Sequence, residues 1–302
     1  MTRVLVTGAN GHLGRRLITV LPPSYAIEAL VRSERARDML LKNIGNRSQL
    51  NVTVADPRDP AAIAELSFNC ERAVHLIGTI KETRNSSYVD AHEIPAQALV
   101  AATPNTSIKH IVYISILGAA RDSTSRCLRS RATVENMLMA AQPAATIIRV
   151  PMVLGEKDRA SFALAKRASA KRVVLFRADS LEQPIYAGDV VDAIARILNA
   201  HDPQDQIFDL AGPQSLSHRE LVTRAALLLN NRPTIYSLPL GFGLALARSL
   251  ELTTTMPQIT CGMLRVLDHD DAIDPTRAVA ALGIRLTQLD QILRRCVLNR
   301  LS

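Results

Sequence analysis

The chain starts with RVLVTG, a run of aliphatic and β-branched residues that passes directly into ANGHLG and then RRLITVL. No other stretch restricts the fold as much. Gly8, Gly11 and Gly14 stand at three-residue spacing between a strand pattern and a helix pattern. Glycines there allow a tight turn, let backbone approach a pyrophosphate and let the helix pack closely on the strand. The helix N-terminus adds free N–H groups and the positive end of its dipole. At the head of a βαβ series this arrangement predicts a nucleotide-binding loop, with Asn10, His12 and Leu13 beside the glycines.

Such a series follows. The runs RVLVTG (3–8), AIEALVR (26–32), NVTVAD (51–56), RAVHLIG (72–78), HIVYIS (110–115) and ATIIRV (145–150) read as strands. Helical patterns at 11–21, 60–66, 88–103 and 125–141 supply the crossovers that parallel strands need. Beyond residue 150 come a helix near 157–170, a strand RVVLF (172–176), a helix at 189–199, a strand QIFDLAG (206–212) and further helices. The expected architecture is α/β: a doubly wound parallel-sheet Rossmann fold with a smaller, mostly helical C-terminal lobe. Residues 1–155 form the nucleotide-binding core and 156–302 the substrate lobe, with about 180–212 returning to the core.

Composition narrows the function. Aromatic residues are 3% of the chain and Trp is absent, which suits a stacking platform for nucleic acid poorly. The net charge of +8 favours anionic partners: a phosphorylated cofactor, nucleic acid or an acidic membrane surface. Cys70, Cys127, Cys261 and Cys296 show neither C-x-x-C nor Cys/His spacing, so no metal site or disulfide framework is expected, and a reducing compartment is. MTRVLVTG lacks the pattern of a signal peptide, and a cytoplasmic location is expected. YSLPLGFGLALARSLEL (236–252), broken by Pro, Gly and Arg, falls short of the ~20 apolar residues of a spanning helix. It reads as a buried or pocket-lining helix, with peripheral membrane contact the alternative.

The second strand ends in Arg32, 18 residues after Gly14, where a carboxylate would grip the ribose diol of NAD. An arginine suits the 2′-phosphate of NADP instead, with NAD the alternative, and Arg15, Arg35 and Arg37 stand nearby to assist. Asp56 in VADPRD is placed either to accept from an adenine amino group or to open a turn before Pro57. In SRCLRSRATVE, Cys127 and Arg131 are four residues apart and share one helix face.

TGANGHLG, VADPRD, HLIGTI, YISILGA, RCLRSRATVE, IIRVPMVLG and QPIYAGDVVDAI occur in this order. The set resembles the atypical short-chain dehydrogenase/reductase superfamily, which is NAD-dependent epimerase/dehydratase-like. The likeness is greatest to the branch of the nucleotide-binding accessory subunit of respiratory complex I and its bacterial relatives. The resemblance implies that Gly8, Gly11 and Gly14 hold pyrophosphate, Arg32 the adenosine phosphate and Asp56 the adenine. Leu76, Ile77 and Gly78 would border the nicotinamide ribose, with Pro151, Met152 and Val153 near the nicotinamide. Ser115 falls on the family's catalytic serine. Cys127 and Arg131 stand where the family has its catalytic tyrosine and lysine.

Arg131 keeps a positive charge for the ribose hydroxyls, as a planar fork rather than an ammonium. A thiol, ordinarily of pKa ~8.5 and lowered by a neighbouring arginine, can exchange a proton but donates hydrogen bonds poorly. Cys127 is then either an acid/base or a small apolar filler. Two functions follow: an NADP-dependent oxidoreductase or related enzyme on a quinone-, lipid- or sugar-like small molecule, or a non-catalytic NADP(H)-binding structural or redox-sensing protein docked on a larger complex. A homo-oligomer fits either, and a nucleic-acid-binding regulator is a weaker third reading. Of the remaining residues, His75 reads as a core histidine and Asp189 as a helix cap. Tyr186 faces a substrate or packs, the acidic run 268–274 reads as a turn and cap, and the arginines of RDSTSRCLRSR as a solvated face.

Overall fold

A computed structural model describes residues 2–45, 47–83, 86–254, 259–266 and 269–298. The elements of the first half are β1 (Thr2–Thr7), α1 (His12–Val20), β2 (Tyr25–Val31), α2 (Glu34–Ile44), β3 (Leu50–Val54), α3 (Pro60–Ser67), β4 (Arg72–His75), a π-helical turn at Val89–Glu93, α4 (Ile94–Ala102), β5 (His110–Ile116), α5 (Arg126–Met139) and β6 (Ala144–Val150). The second half holds β7 (Val153–Leu154), α6 (Arg159–Ser169), β8 (Arg172–Phe176), β9 (Leu181–Glu182), β10 (Ile185–Tyr186), α7 (Ala187–Leu198), β11 (Gln206–Asp209), β12 (Leu216–Ser217), α8 (His218–Leu227), β13 (Thr234–Leu238), α9 (Leu240–Thr253), α10 (Cys261–Val266), α11 (Thr276–Leu282) and α12 (Leu289–Val297).

The chain divides into two compact units. The first runs to Thr79 and takes in Ser86–Arg149 and Val191–Phe208; the second is built on Val150–Val190 and the chain from Asp209 onward, with Ile80–Asn85.

The first unit is a Rossmann-type sheet of seven strands in the order β11-β6-β5-β4-β1-β2-β3. The pairs β1–β2, β2–β3, β1–β4 and β4–β5 are parallel. Val4, Leu5 and Val6 of β1 are wholly buried, as a strand covered by helices on both faces requires. The order reverses at β1: β2 and β3 grow to one side, β4 and β5 to the other. Strand ends at such a switch point leave a crevice, and here the ends are those of β1 and β4.

Local signals place the helices. Ser33 caps α2 by accepting from Ala36 N, and Asp59 caps α3 before Pro60, whose missing N–H costs nothing at a helix start. The sequence pattern alone marks no element where α2 lies. Two boundaries differ as well. The strand expected at 72–78 leaves the ladder after His75, and the helix expected at 88–103 starts as the π-helical turn before α4.

The second unit packs α6, α8 and α12 around Leu164, Val173, Leu175, Leu221, Ile292 and Leu293. Its small sheets pair β10 with β7, β9 with β12 and β8 with β13. Asp189 lies within the first turn of α7 rather than ahead of it, and its carboxylate accepts from the N–H and hydroxyl of Thr287 at 2.7 Å each. Tyr186 is 7% exposed, donates to Glu156 and stacks under the Arg295 guanidinium. In the acidic run, Asp274 accepts from Thr276 N at the start of α11, Asp270 accepts from Leu181 N, and Asp268 lies outside the described residues.

Residues 236–252 depart most from expectation. They divide between β13 and α9, and of α9 only Gly243 and Ala247 are buried. Among the described residues no helix is long and apolar enough to cross a membrane.

Candidate functional site at the switch point

Gly8 follows β1 at φ +70°, a left-handed conformation that side chains disfavour. A Cβ there would lie 2.8 Å from the Leu76 carbonyl carbon, so the turn presses directly on the chain leaving β4. Gly11 N donates to Gly8 O at 2.8 Å, closing the turn. At Gly14 a Cβ would stand 2.6 Å from Ala9 O and 2.7 Å from Gly8 O, so only glycine lets α1 begin this close to the loop.

Gly11 caps α1 without a side chain, which leaves the first-turn amides with no side-chain acceptor at that position. Asn10 Oδ1 is buried and has no hydrogen-bond partner among the described residues. The Asn10 carbonyl takes Arg15 NH1 at 3.2 Å, and His12 accepts from Arg16 at 3.2 Å; Leu13 is half-buried.

Arg32 is the first residue past β2, exposed and without an ion pair among the described residues. Arg37 is committed to Glu34 at 2.6 Å. Asp56 opens a turn: its carboxylate accepts from Arg58 N at 3.0 Å and pairs with the Arg58 guanidinium at 2.8 Å, which holds its pKa below the usual carboxylate range.

Beyond β4, Leu76 N still bonds Thr7 O, and then Leu76, Ile77 and Gly78 run free of the ladder. The Arg131 guanidinium from α5 occupies the space where a Gly78 side chain would be; a Cβ on Gly78 would lie 2.7 Å from Arg131 Cζ. Arg131 is 8% exposed. Its NH1 donates to Tyr113 Oη at 2.7 Å and to Ile114 O at 3.1 Å, and its Cζ stands 5.6 Å from the Tyr113 ring centre. It forms no ion pair among the described residues, and its Nε is buried without a partner. One turn on, Glu135 is already taken by Arg149.

Cys127 shares that face of α5. It is wholly buried, with Sγ 3.8 Å from Thr79 O. Ser115 on β5 is 1% exposed, and its Oγ has no partner among the described residues. Pro151, Met152 and Val153 belong to the second unit, where they are half-buried and Val153 pairs with Ile185.

Burial sets the electrostatics around Arg131. His75, bonded to Thr7 Oγ1 at 2.8 Å, is pushed down to about 3 by burial and then by Arg131. His92, against Thr79 N and O, is pushed down to about 3 by burial and then by Arg131. Burial raises the Tyr113 hydroxyl and Arg131 pulls it back; the neutral hydroxyl oxygen accepts a hydrogen bond from the guanidinium. The cation is thus held by two neutral acceptors, Tyr113 Oη and Ile114 O, and burial together with its field keeps His75 and His92 uncharged.

Tyr113 and His92 were not among the residues singled out from sequence. Tyr113 was findable, because it stands two residues before Ser115 on β5 and alternation puts both on one face. His92 had no such signal, since its role depends on the π-helical turn.

Residues 8–200 match the family described as NAD(P)H-binding. Subunit 9 of the NADH dehydrogenase [ubiquinone] 1 alpha subcomplex, mitochondrial, of Arabidopsis thaliana is 29% identical over 95% of this chain and 73% of its own length. The ceramide reductase of Caulobacter vibrioides is 25% identical over 93% of this chain and 88% of its own. Among solved structures, the Escherichia coli NADPH-dependent quinone oxidoreductase complexed with NADPH superposes at a TM-score of 0.73, with 19% identity and 96% and 98% of the two chains covered. The resemblance drawn from the ordered motifs is met by these relatives.

Proposed function

Because the chain belongs to the NAD(P)H-binding family, we propose that it binds NADP(H) and has kept the dinucleotide while giving up the side-chain acid of carbonyl reduction. One observation carries this reading: both residues standing for the family's tyrosine and lysine are turned inward, Cys127 wholly buried and Arg131 bonded to Tyr113 and Ile114. A thiol so placed is a small filler, and a guanidinium so placed holds shape and charge.

The residues present fit the cofactor. The glycine loop is a cradle that a Cβ would fill, and among the described residues Asn10 Oδ1 is a buried atom without a partner and Arg32 an unpaired cation past β2. Gly8, Gly11 and Gly14, with Asn10, His12 and Leu13, would take the pyrophosphate; Arg32 would take the 2′-phosphate that distinguishes NADP from NAD, with Asp56 toward the adenine. Leu76, Ile77, Gly78 and Arg131 would border the nicotinamide ribose. When bound, the cofactor supplies hydride. The mitochondrial NADH dehydrogenase subunits among the relatives favour docking on a larger complex, and the cysteine usage favours a reducing compartment such as the cytoplasm.

A second reading, hydride transfer to a lipid- or quinone-like acceptor, is favoured by Ser115, whose buried Oγ is uncommitted and free to donate to a ligand oxygen. The ceramide reductase relative makes a lipid the first substrate to try.

Fluorescence titration of NADPH and NADH tests the binding. NADPH binds more tightly, and Arg32→Ala weakens NADPH ~10-fold, about the worth of one charge-assisted contact, while leaving NADH unchanged. Absence of NADPH binding sinks the proposal. NADPH consumption with a keto-lipid or quinone, whose carbonyl takes the hydride, that Ser115→Ala abolishes would select the second reading, and its loss in Cys127→Ala would restore the thiol as acid/base.

A further inference from the structure

The segment expected to be buried carries the longest run of exposed apolar side chains among the described residues. Strands β8 and β13 pair in parallel, Val174 opposite Tyr236 and Phe176 opposite Leu238. Side chains alternate across such a pair. Val173 and Leu175, with Ile235, pack into the core of the second unit. Arg172, Val174, Tyr236 and Leu238 therefore share the outer face.

Helix α9 starts over one end of that face: a Cβ on Gly243 would lie 2.9 Å from the Phe176 ring. With Gly243 and Ala247 turned inward, the 3.6-residue turn sends Phe242 and Leu246 outward, with Leu252 beside them. Phe242 is 70% exposed and Leu252 73%, values for which a water-facing helix has no use.

The unpaired charges around these side chains are of one sign among the described residues; the carboxylates past the end of β8, Asp179 and Asp270, are paired with Arg219 and Arg177. Arg172, Arg232 and Arg248 are exposed and form no ion pair among the described residues. The only carboxylate between residues 230 and 254 is Glu251, and its Oε1 accepts from Cys261 N. Apolar side chains rimmed by unpaired cations, on a helix of 14 residues that is too short to span, have the chemistry of an interfacial helix. A second copy related by a two-fold axis would set these arginines against their own kind. We propose that α9 and the outer face of the β8–β13 pair dock the protein on an anionic lipid surface, with α9 lying in the interface plane.

Cosedimentation of the full chain with sucrose-loaded vesicles tests this. The chain sediments with phosphatidylcholine vesicles containing phosphatidylglycerol and far less with phosphatidylcholine alone. Phe242→Ser with Leu246→Ser lowers the bound fraction ~10-fold or more, because apolar burial drives insertion. Arg172→Gln with Arg248→Gln removes the preference for anionic vesicles and the salt dependence. Both variants replace exposed residues, and NADPH titration checks that each is folded. Amide exchange in wild-type residues 236–252, slowed by anionic vesicles, reports the same contact without a variant. The proposal is overturned if the wild type stays in the supernatant, if the serine variant sediments like the wild type, or if that variant loses only self-association in ultracentrifugation.

Discussion

Replacing Tyr113 by Phe deletes one oxygen and leaves the ring that packs beside the Arg131 guanidinium. That oxygen is wholly buried and accepts the Arg131 NH1 proton at 2.7 Å. A hydrogen bond to a charged group contributes ~1.5–3 kcal/mol, and losing it strands part of a buried charge. Ile114 O still accepts from the same nitrogen at 3.1 Å, which keeps the loss near the middle of the range, ~2 kcal/mol. For a chain of this size that lowers the thermal midpoint by ~3 °C.

The cycle with Arg131→Met isolates the pair. Without the guanidinium the Tyr113 hydroxyl has no charge to serve, and Tyr113→Phe then costs under ~0.5 kcal/mol. Urea and thermal unfolding of the four proteins without cofactor, followed by circular dichroism, give the coupling. A wild-type cost below ~0.5 kcal/mol, or an equal cost in both backgrounds, refutes the reasoning that Arg131 is held by neutral acceptors of its own unit.

Gly14→Ala, whose Cβ meets backbone at 2.6 and 2.7 Å, destabilises by ~1–3 kcal/mol and weakens NADPH in titration; Gly241→Ala, with nothing within 4 Å, does neither. The pH dependence of stability carries the sign of His75. Its folded pKa of about 3 lies below the ordinary 6.5, so the unfolded chain binds the proton first. Its contribution is therefore full above pH 6.5 and is lost as pH falls toward 3, and His75→Gln flattens that part of a urea-midpoint profile. Glu182, raised to about 7 by burial and Asp271, acts oppositely: stability is lost as pH rises from 4.5 through 7, and Glu182→Gln removes that loss. Cys127→Ala leaves the NADPH dissociation constant within ~2-fold, since the thiol lies on Thr79 O in the interior.

The nucleotide half of the chain was legible because its signals are local. RVLVTGANGHLG states strand, turn and helix within twelve residues, and each glycine meets the backbone contact its spacing implies. Strand β1 reads as buried on both faces because it is apolar without alternation. Asp56 shows the limit of such reading. Its place before Pro57 fits two roles, and only the Arg58 geometry shows which partner holds its carboxylate.

Cys127 and Arg131 are four residues apart in the sequence, so their common helix face is a matter of period alone. What that face meets is not. Tyr113, Ile114, Thr79 and Gly78 arrive from β5 and from the chain beyond β4, and their partnership with α5 exists only once the sheet order is formed. Residues 236–252 make the same point in reverse. Hydropathy counts apolar residues but not their neighbours, so it reads α9 as interior, while Gly243 against Phe176 leaves Phe242, Leu246 and Leu252 facing out. Sequence by itself determined most elements of the nucleotide half, the nucleotide loop and the family, because these rest on short-range spacing. Tertiary structure decided which charges are paired, which thiol is buried and which apolar face is open, because each depends on atoms that are distant along the chain.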